Sequence, residues 1–203
     1  MPATRRTKQE VVSEYRCAEI LQSARRIFAM KGFNLATMDD IAEAAGLAKG
    51  TLYLYFQSKQ DIYLKALQHG IAEMVEQTRV NMQAVEGLRA KLHRFVSTRV
   101  KYAEENREFY KIYQTEFGNI IHPATINKQF RESYIRQAGV IEQVLRESIN
   151  CGEIRPVPLP AAAFTILDMA RSLTVRRLLG WSKADVEEDI DFLCEFIWAG
   201  IEC

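Results

Sequence analysis

The chain has 203 residues, 48% of them hydrophobic and 26% charged, the balance of an ordinary globular protein with enough apolar side chains for one or two cores. Nowhere do 18 apolar residues run together, and no apolar stretch follows the basic residues of MPATRRTKQEVVSEY, so neither a membrane span nor a secretory leader is expected and the location is read as cytoplasmic. The net charge of +1 hides an asymmetry: residues 1–60 hold nine Lys or Arg against six Asp or Glu, whereas the remaining 143 hold 18 against 20, so the basic excess sits at the front.

Helical periods fill the chain and no strand alternation is convincing, which predicts an all-α fold. Residues 1–12, with Arg5, Arg6 and Lys8 and no apolar period, are read as a flexible basic arm of the kind that can lie in a minor groove. Cys17, Ile20, Leu21, Ala24, Ile27 and Phe28 then recur at three and four, and Lys31 followed by Gly32 predicts the end of this first helix near Met30 to Gly32. Thr37 followed by Asp40 is a capping pattern for a short second helix carrying Ile41, Ala42 and Ala45, with Gly46 as its break. A third helix is predicted at about 49–56, and Ser58 with Asp61 caps a fourth that carries Ile62, Leu64, Leu67, Ile71 and Val75.

Two short helices joined by a tight glycine turn make a helix-turn-helix, whose second member enters the DNA major groove. Its inner face must be apolar, which Leu47, Leu52 and Phe56 supply. The outer face must suit phosphates and base edges. Lys49 and Lys59 offer charge there, Thr51, Tyr53 and Tyr55 offer hydroxyls, and Gly50 lets the backbone approach the sugar-phosphate chain. Thr37 caps its helix whatever else it does, and Tyr53 and Tyr55 taken alone could equally be half-buried packing residues.

The run from Ile20 to Ile62, with GF at 32–33, ATMDDIAEAAGLAKGTLYLYF at 36–56 and SK at 58–59, resembles the DNA-binding domain of the TetR/AcrR family of bacterial transcriptional regulators. The resemblance implies an all-helical, nine-helix homodimer that binds a palindromic operator, usually as a repressor, and leaves it when a small molecule fills the C-terminal domain. By position it implies that Thr37, Lys49, Gly50, Thr51, Tyr53, Tyr55 and Lys59 touch DNA. Leu54 departs from the polar or aromatic residue often found at its place, and could meet a thymine methyl or pack at the helix edge.

Past residue 60 helical segments are predicted at about 59–82, 88–104, 107–118, 124–150, 161–179 and 183–201, for nine helices in all, with the last capped by Ser182. The division expected is a helix-turn-helix domain over 1–60 and a helical ligand-binding and dimerisation domain over 61–203, joined by the fourth helix. The fifth to seventh segments carry Phe95, Tyr102, Phe109, Tyr110, Tyr113, Phe117, Phe130 and Tyr134. Any one of these at helical spacing reads first as core, but as a group they suit a pocket for a small lipophilic or aromatic effector. Arg99, Gln114, Asp168 and Arg171 could orient a polar end of it, each reading first as a surface or interface residue. The terminal helix is apolar on two faces and needs two partners. The family resemblance implies that the last two helices of each protomer form a four-helix dimer interface, for which Leu167, Arg171, Thr174, Leu178, Leu193, Phe196 and Ile197 are the candidates.

No Gly-rich phosphate loop, G-x-S-x-G elbow or H-E-x-x-H motif occurs, and the histidines at 69, 93 and 122 stand far apart, so catalysis, a metal and a cofactor are not expected. Cys17, Cys151, Cys194 and Cys203 lack C-x-x-C spacing and read as reduced thiols. The reading is a DNA-binding regulator with a duplex operator, an effector and a second copy as partners. Its rival is an all-helical ligand-binding or interaction protein without DNA specificity, which would leave the polar outer face of the third helix unexplained.

Overall fold

The computed structural model describes residues 7–118 and 128–203. Among these the chain forms nine helices and no strand: α1 (Lys8–Leu35), α2 (Met38–Ala44), α3 (Lys49–Tyr55), α4 (Lys59–Gln83), α5 (Leu88–Glu105), α6 (Arg107–Gly118), α7 (Lys128–Asn150), α8 (Leu159–Leu178) and α9 (Val186–Ile201). Two compact units result. One holds the described residues up to Gly70 together with Glu108–Phe117; the other holds Ile71–Arg107 and the described residues from Gly118 onward. The expected boundary at 60 thus differs from the observed division, because the first three turns of α4 and nearly all of α6 group with the front of the chain.

In the first unit α1 begins at Lys8, inside the stretch expected to be an arm; Arg5 and Arg6 lie outside the described residues. Ile20, Leu21, Ala24, Ile27 and Phe28 are buried along one side. The stop expected at Gly32 is a break in the helix: Gly32 takes φ 74° and ψ 166°, a conformation open to glycine without a Cβ penalty, and a separate short helical turn follows to Leu35. α2 starts on the expected capping box, with Asp40 N–H donating to Thr37 Oγ1 at 3.1 Å and Thr37 N–H donating to Asp40 Oδ2 at 3.0 Å. It ends in a Schellman turn, where Gly46 N–H donates to Glu43 O at 3.0 Å and Leu47 N–H to Ala42 O at 2.9 Å, with Gly46 at φ 66°. α4 is capped at Ser58, whose Oγ accepts from Asp61 N–H at 3.1 Å.

α6 is held in this unit by contacts that the sequence did not announce. The Tyr63 hydroxyl donates to Glu116 at 2.7 Å, and Arg25, 8% exposed, lies over the Phe109 ring at 5.6 Å while its Nε donates to Ala66 O at 3.2 Å. Gly70 faces the same ring so closely that a Cβ there would overlap it.

In the second unit α5, α7, α8 and α9 pack around Leu88, Leu92, Val96, Leu145, Leu167 and Ile190, all buried. α9 starts three residues later than expected. Its cap is Asp185, paired in a capping box with Glu188, because Ser182 is engaged elsewhere: its hydroxyl donates to the buried carboxylate of Asp189 at 2.5 Å. Arg176 and Arg177 donate to the same carboxylate at 2.6 Å each, and Arg177 also reaches Glu104 at 3.2 Å. Burial alone would push the Asp189 carboxyl up; the hydrogen bonds from Ser182 and Arg177 and the charge of Arg176 outweigh it and hold the group below the ordinary value.

Candidate nucleic-acid interface

The seven residues of α3 divide cleanly. Leu52 is fully buried and Phe56, the residue that closes the helix, is 2% exposed, both joining the core that contains Ile20, Ile41 and Ile62. Leu47 of the preceding turn is half-buried. On the opposite side Lys49 and Gly50 are exposed, Tyr53 is 48% and Leu54 83% exposed, and Thr51 and Tyr55 are half-buried. Gly50 has open space where a Cβ would stand, so nothing among the described residues prevents a backbone from approaching there.

The charges around this face are already paired. Lys49 Nζ meets Asp39 Oδ2 at 2.8 Å, and this hydrogen bond, with the carboxylate charge behind it, raises the ammonium above its ordinary value. Lys31 Nζ meets Asp40 Oδ1 at 2.7 Å, which together with the Thr37 bonds lowers the Asp40 carboxyl. Thr37 is exposed; its Oγ1 accepts from Asp40 N–H and keeps its own hydroxyl proton to donate. Lys59, expected to touch DNA, is half-buried and engaged within the chain. Its ammonium donates to Ala36 O at 2.8 Å and Asn34 O at 3.2 Å and sits 4.7 Å above the Phe33 ring, so it ties the end of α1 to the start of α4. The sequence reading missed Asp39 and Phe33 as partners of these lysines, since neither pairing follows from helical spacing.

The residues expected to line an effector pocket separate between the units. Phe109, Tyr110, Tyr113 and Phe117 lie in the first, where Tyr113 packs against Phe109 and Tyr110 at ring distances of 5.8 and 5.7 Å. Phe95, Tyr102, Phe130 and Tyr134 lie in the second and are all buried. There the Tyr134 ring packs on Phe164 at 5.7 Å and its hydroxyl bonds to Asp168, which also accepts from Arg171 at 3.3 Å. Gln114 is half-buried. Arg99 corrects the surface reading outright, being 5% exposed.

Of the expected interface residues, Leu167, Thr174, Leu193 and Ile197 are buried within the protomer at 8% exposure or less. They form the seam among α5, α8 and α9, because a helix apolar on two faces spends one on its own chain. Arg171 and Leu178 are half-buried, whereas Phe196 is 58% exposed and stacks on Phe192, 66% exposed, at 6.3 Å. Both rings line an open groove with Met169, Leu173, Arg176 and Leu193. Phe192 was not anticipated; its four-residue spacing from Phe196 was the available signal.

Among the described residues no group of His, Cys, Asp or Glu could hold a metal ion, and no helix is long and apolar enough to cross a membrane. His93 pairs with Asp191 at 3.2 Å, and His122 lies outside the described residues. All four cysteines are free thiols, and burial, with Asp191 and Glu195 nearby, pushes Cys194 up to about 12.

Residues 20–66 match the family model described as bacterial regulatory proteins, tetR family. The chain is 25% identical over 168 residues to the uncharacterized HTH-type transcriptional regulator YhgD of Bacillus subtilis, covering 81% of this chain and 83% of that protein. It is 28% identical over 143 residues to the HTH-type transcriptional repressor KstR2 of Rhodococcus jostii, covering 66% and 70%. Its fold is that of the transcriptional regulator FadR from Bacillus subtilis, solved in complex with stearoyl-CoA, at a TM-score of 0.79 and 20% identity over 91% of this chain and 99% of that one. Each of these three is described as a transcriptional regulator or repressor.

Proposed function

The chain belongs to the TetR family of bacterial DNA-binding transcriptional regulators, and from that premise we propose that it is a ligand-responsive repressor. It acts as a cytoplasmic homodimer that holds a palindromic operator until a small lipophilic effector fills its C-terminal half. The observation that carries the DNA reading is the division of α3, with Leu52 and Phe56 buried and Lys49, Tyr53 and Leu54 turned to solvent. In the proposed complex α3 lies in the major groove. Lys49 exchanges Asp39 for a phosphate, Thr37, Thr51, Tyr53 and Tyr55 donate hydroxyl protons to phosphate oxygens, and Leu54 meets a thymine methyl. Lys59 keeps the loop between α1 and α2 in place beside them.

The dimer reading is supported by Phe192 and Phe196, two large rings left in water on α9 beside an apolar groove. A two-fold partner offering the same surface would cover both, and would set two α3 helices about 34–36 Å apart. The effector reading is supported by the buried aromatics of α5 to α7 and by the stearoyl-CoA bound to FadR, a protein of the same fold. The test is to pass genomic fragments over the immobilised protein at two salt concentrations and sequence what is retained. The expected outcome is a shared inverted repeat, released by a long-chain acyl compound. Retention of fragments without a common sequence would overturn the operator reading; retention insensitive to every lipophilic compound would overturn the effector reading.

A further inference from the structure

Helix α5 carries one cation that the protein takes out of water without a counter-charge. Arg99 is 5% exposed; its guanidinium lies over the Phe95 ring at 5.2 Å, and Nη2 donates to Oε1 of Gln137 on α7 at 2.7 Å. Gln137 is 4% exposed, and its Nε2 is buried without an acceptor. Among the described residues no carboxylate pairs with Arg99. The contrast within the same unit is Arg177, which is set between the carboxylates of Glu104 and Asp189.

A guanidinium cannot shed its proton to escape burial, and an unpaired charge in a poor dielectric is costly. Among the described residues one of the five N–H groups on Arg99 is used, by a neutral oxygen. Turning the Gln137 amide over would set N–H against N–H, so its oxygen faces the arginine and its own two N–H groups remain to donate. The two side chains therefore make a positive, donor-only spot. Water could accept from these donors but would leave the charge unbalanced; an oxyanion does both.

We propose that Arg99 and Gln137 are the head-group end of the effector site and bind the carboxylate of a long-chain carboxylic acid. The proposal rests on the lipophilic-effector reading above and narrows it. A carboxylate matches the guanidinium fork with two parallel hydrogen bonds. The flanking side chains of α5 and α7, Val96, Val100, Ala103, Ala138 and Ile141, are buried and apolar, which suits a single charged group on a hydrocarbon chain and not a large polyanionic head.

The experiment is calorimetric titration of the full-length protein with myristate, methyl myristate and myristoyl-CoA, with thermal unfolding of each ligand-free variant. Wild-type protein should bind myristate roughly ten- to a hundredfold more tightly than the methyl ester, the range for hydrogen bonds to a charged group. Arg99→Met should bind acid and ester alike, at the affinity wild type shows for the ester. Its ligand-free unfolding temperature should hold or rise, because a buried cation without a counter-charge has been removed. Gln137→Glu keeps the arginine and supplies a carboxylate from the chain itself; it should unfold at a higher temperature and lose the preference for acid.

Equal affinity for acid and ester in wild type, or a preference for acid that survives in Arg99→Met or Gln137→Glu, overturns the head-group assignment and leaves the lipophilic-effector reading standing. Tighter binding of myristoyl-CoA than of myristate, undiminished in Arg99→Met, overturns it in the same way. Wild-type protein that binds none of the three refutes the lipophilic reading, and the head-group assignment with it. Should Arg99→Met fail to fold, Gln137→Glu alone decides between these outcomes.

Discussion

Replacing Lys59 by Met separates two roles that a lysine beside a recognition helix can play. In the structure its ammonium satisfies the carbonyls of Ala36 and Asn34 and stands over Phe33, while the residue itself is half-buried. Hydrogen bonds from a charged donor contribute about 1.5–3 kcal/mol when protected, and a cation over a ring about 0.5–1 at an exposed site; the Asn34 side of the contact is open to solvent and counts for little. Lys59→Met should therefore destabilise by about 2 kcal/mol, a fall of roughly 4–8 °C in Tm for a chain of this size. Its effect on DNA should be indirect, with a weaker complex whose affinity keeps the same dependence on salt. Lys49→Ala is the control, since its exposed pair with Asp39 holds no core together: Tm should stay put while the log-log salt slope flattens by roughly one unit for the lost phosphate. Thermal denaturation and operator titration at several salt concentrations read both. An unchanged Tm with a slope lower by one in Lys59→Met would refute the clamp and make Lys59 a phosphate contact.

Three other outcomes follow from the packing. Gly70→Ala gains up to about 1 kcal/mol of helix propensity but drives a Cβ into the Phe109 ring, an overlap that costs about 1–3 kcal/mol; thermal denaturation should show a net loss, smaller in a Phe109→Leu background. Phe196→Asp should convert the dimer to monomer in sedimentation, whereas an intact dimer would place the interface elsewhere. Asp189→Asn should lower stability by about 3–5 kcal/mol in chemical denaturation, because it leaves Arg176 and Arg177 facing a neutral amide. The Asp189 carboxyl is lowered in the folded protein, so the folded state binds fewer protons in acid than the unfolded one. Its contribution is present above the ordinary value of 3.8 and disappears as pH falls through the folded value; wild type should lose stability below about pH 4 along a slope that is shallower in Asp189→Asn, where Asp40 and Glu76 still contribute.

What the sequence made legible was what short-range chemistry dictates. The capping box at Thr37 and Asp40, the turn at Gly46, the cap at Ser58 and the buried pair Leu52 and Phe56 each involve residues a few positions apart, and each stands where it was expected. Helix starts were read less well where two residues competed for one role. Ser182 and Asp185 both carry capping oxygens, and nothing local told that Ser182 would be drawn to Asp189, seven residues on and buried between two arginines. The aromatic stripe over α5 to α7 looked like one surface because spacing records the face of a helix and not its neighbour. Phe109 turns to Gly70 and Arg25, while Phe95 turns to Arg99, so the stripe divides between two units.

Basic residues show the limit most plainly, since Lys49, Lys59 and Arg99 all read as cations on helices. Their difference lies in the acceptors that the fold brings within hydrogen-bonding distance: a carboxylate ten positions away for Lys49, carbonyls 23 and 25 positions away for Lys59, and one amide oxygen 38 positions away for Arg99. The same accounting explains why the basic excess of the front is so small. Asp39 and Asp40 favour the positive end of α2, and in the free protein they hold Lys49 and Lys31. A phosphate that takes Lys49 must displace Asp39 and leaves that carboxylate beside a polyanion. If α3 binds DNA as proposed, DNA with every contact satisfied can meet that cost and DNA that offers the phosphate without the groove contacts cannot, so on that reading the internal pairs bias the interface toward its proper site and against indiscriminate binding.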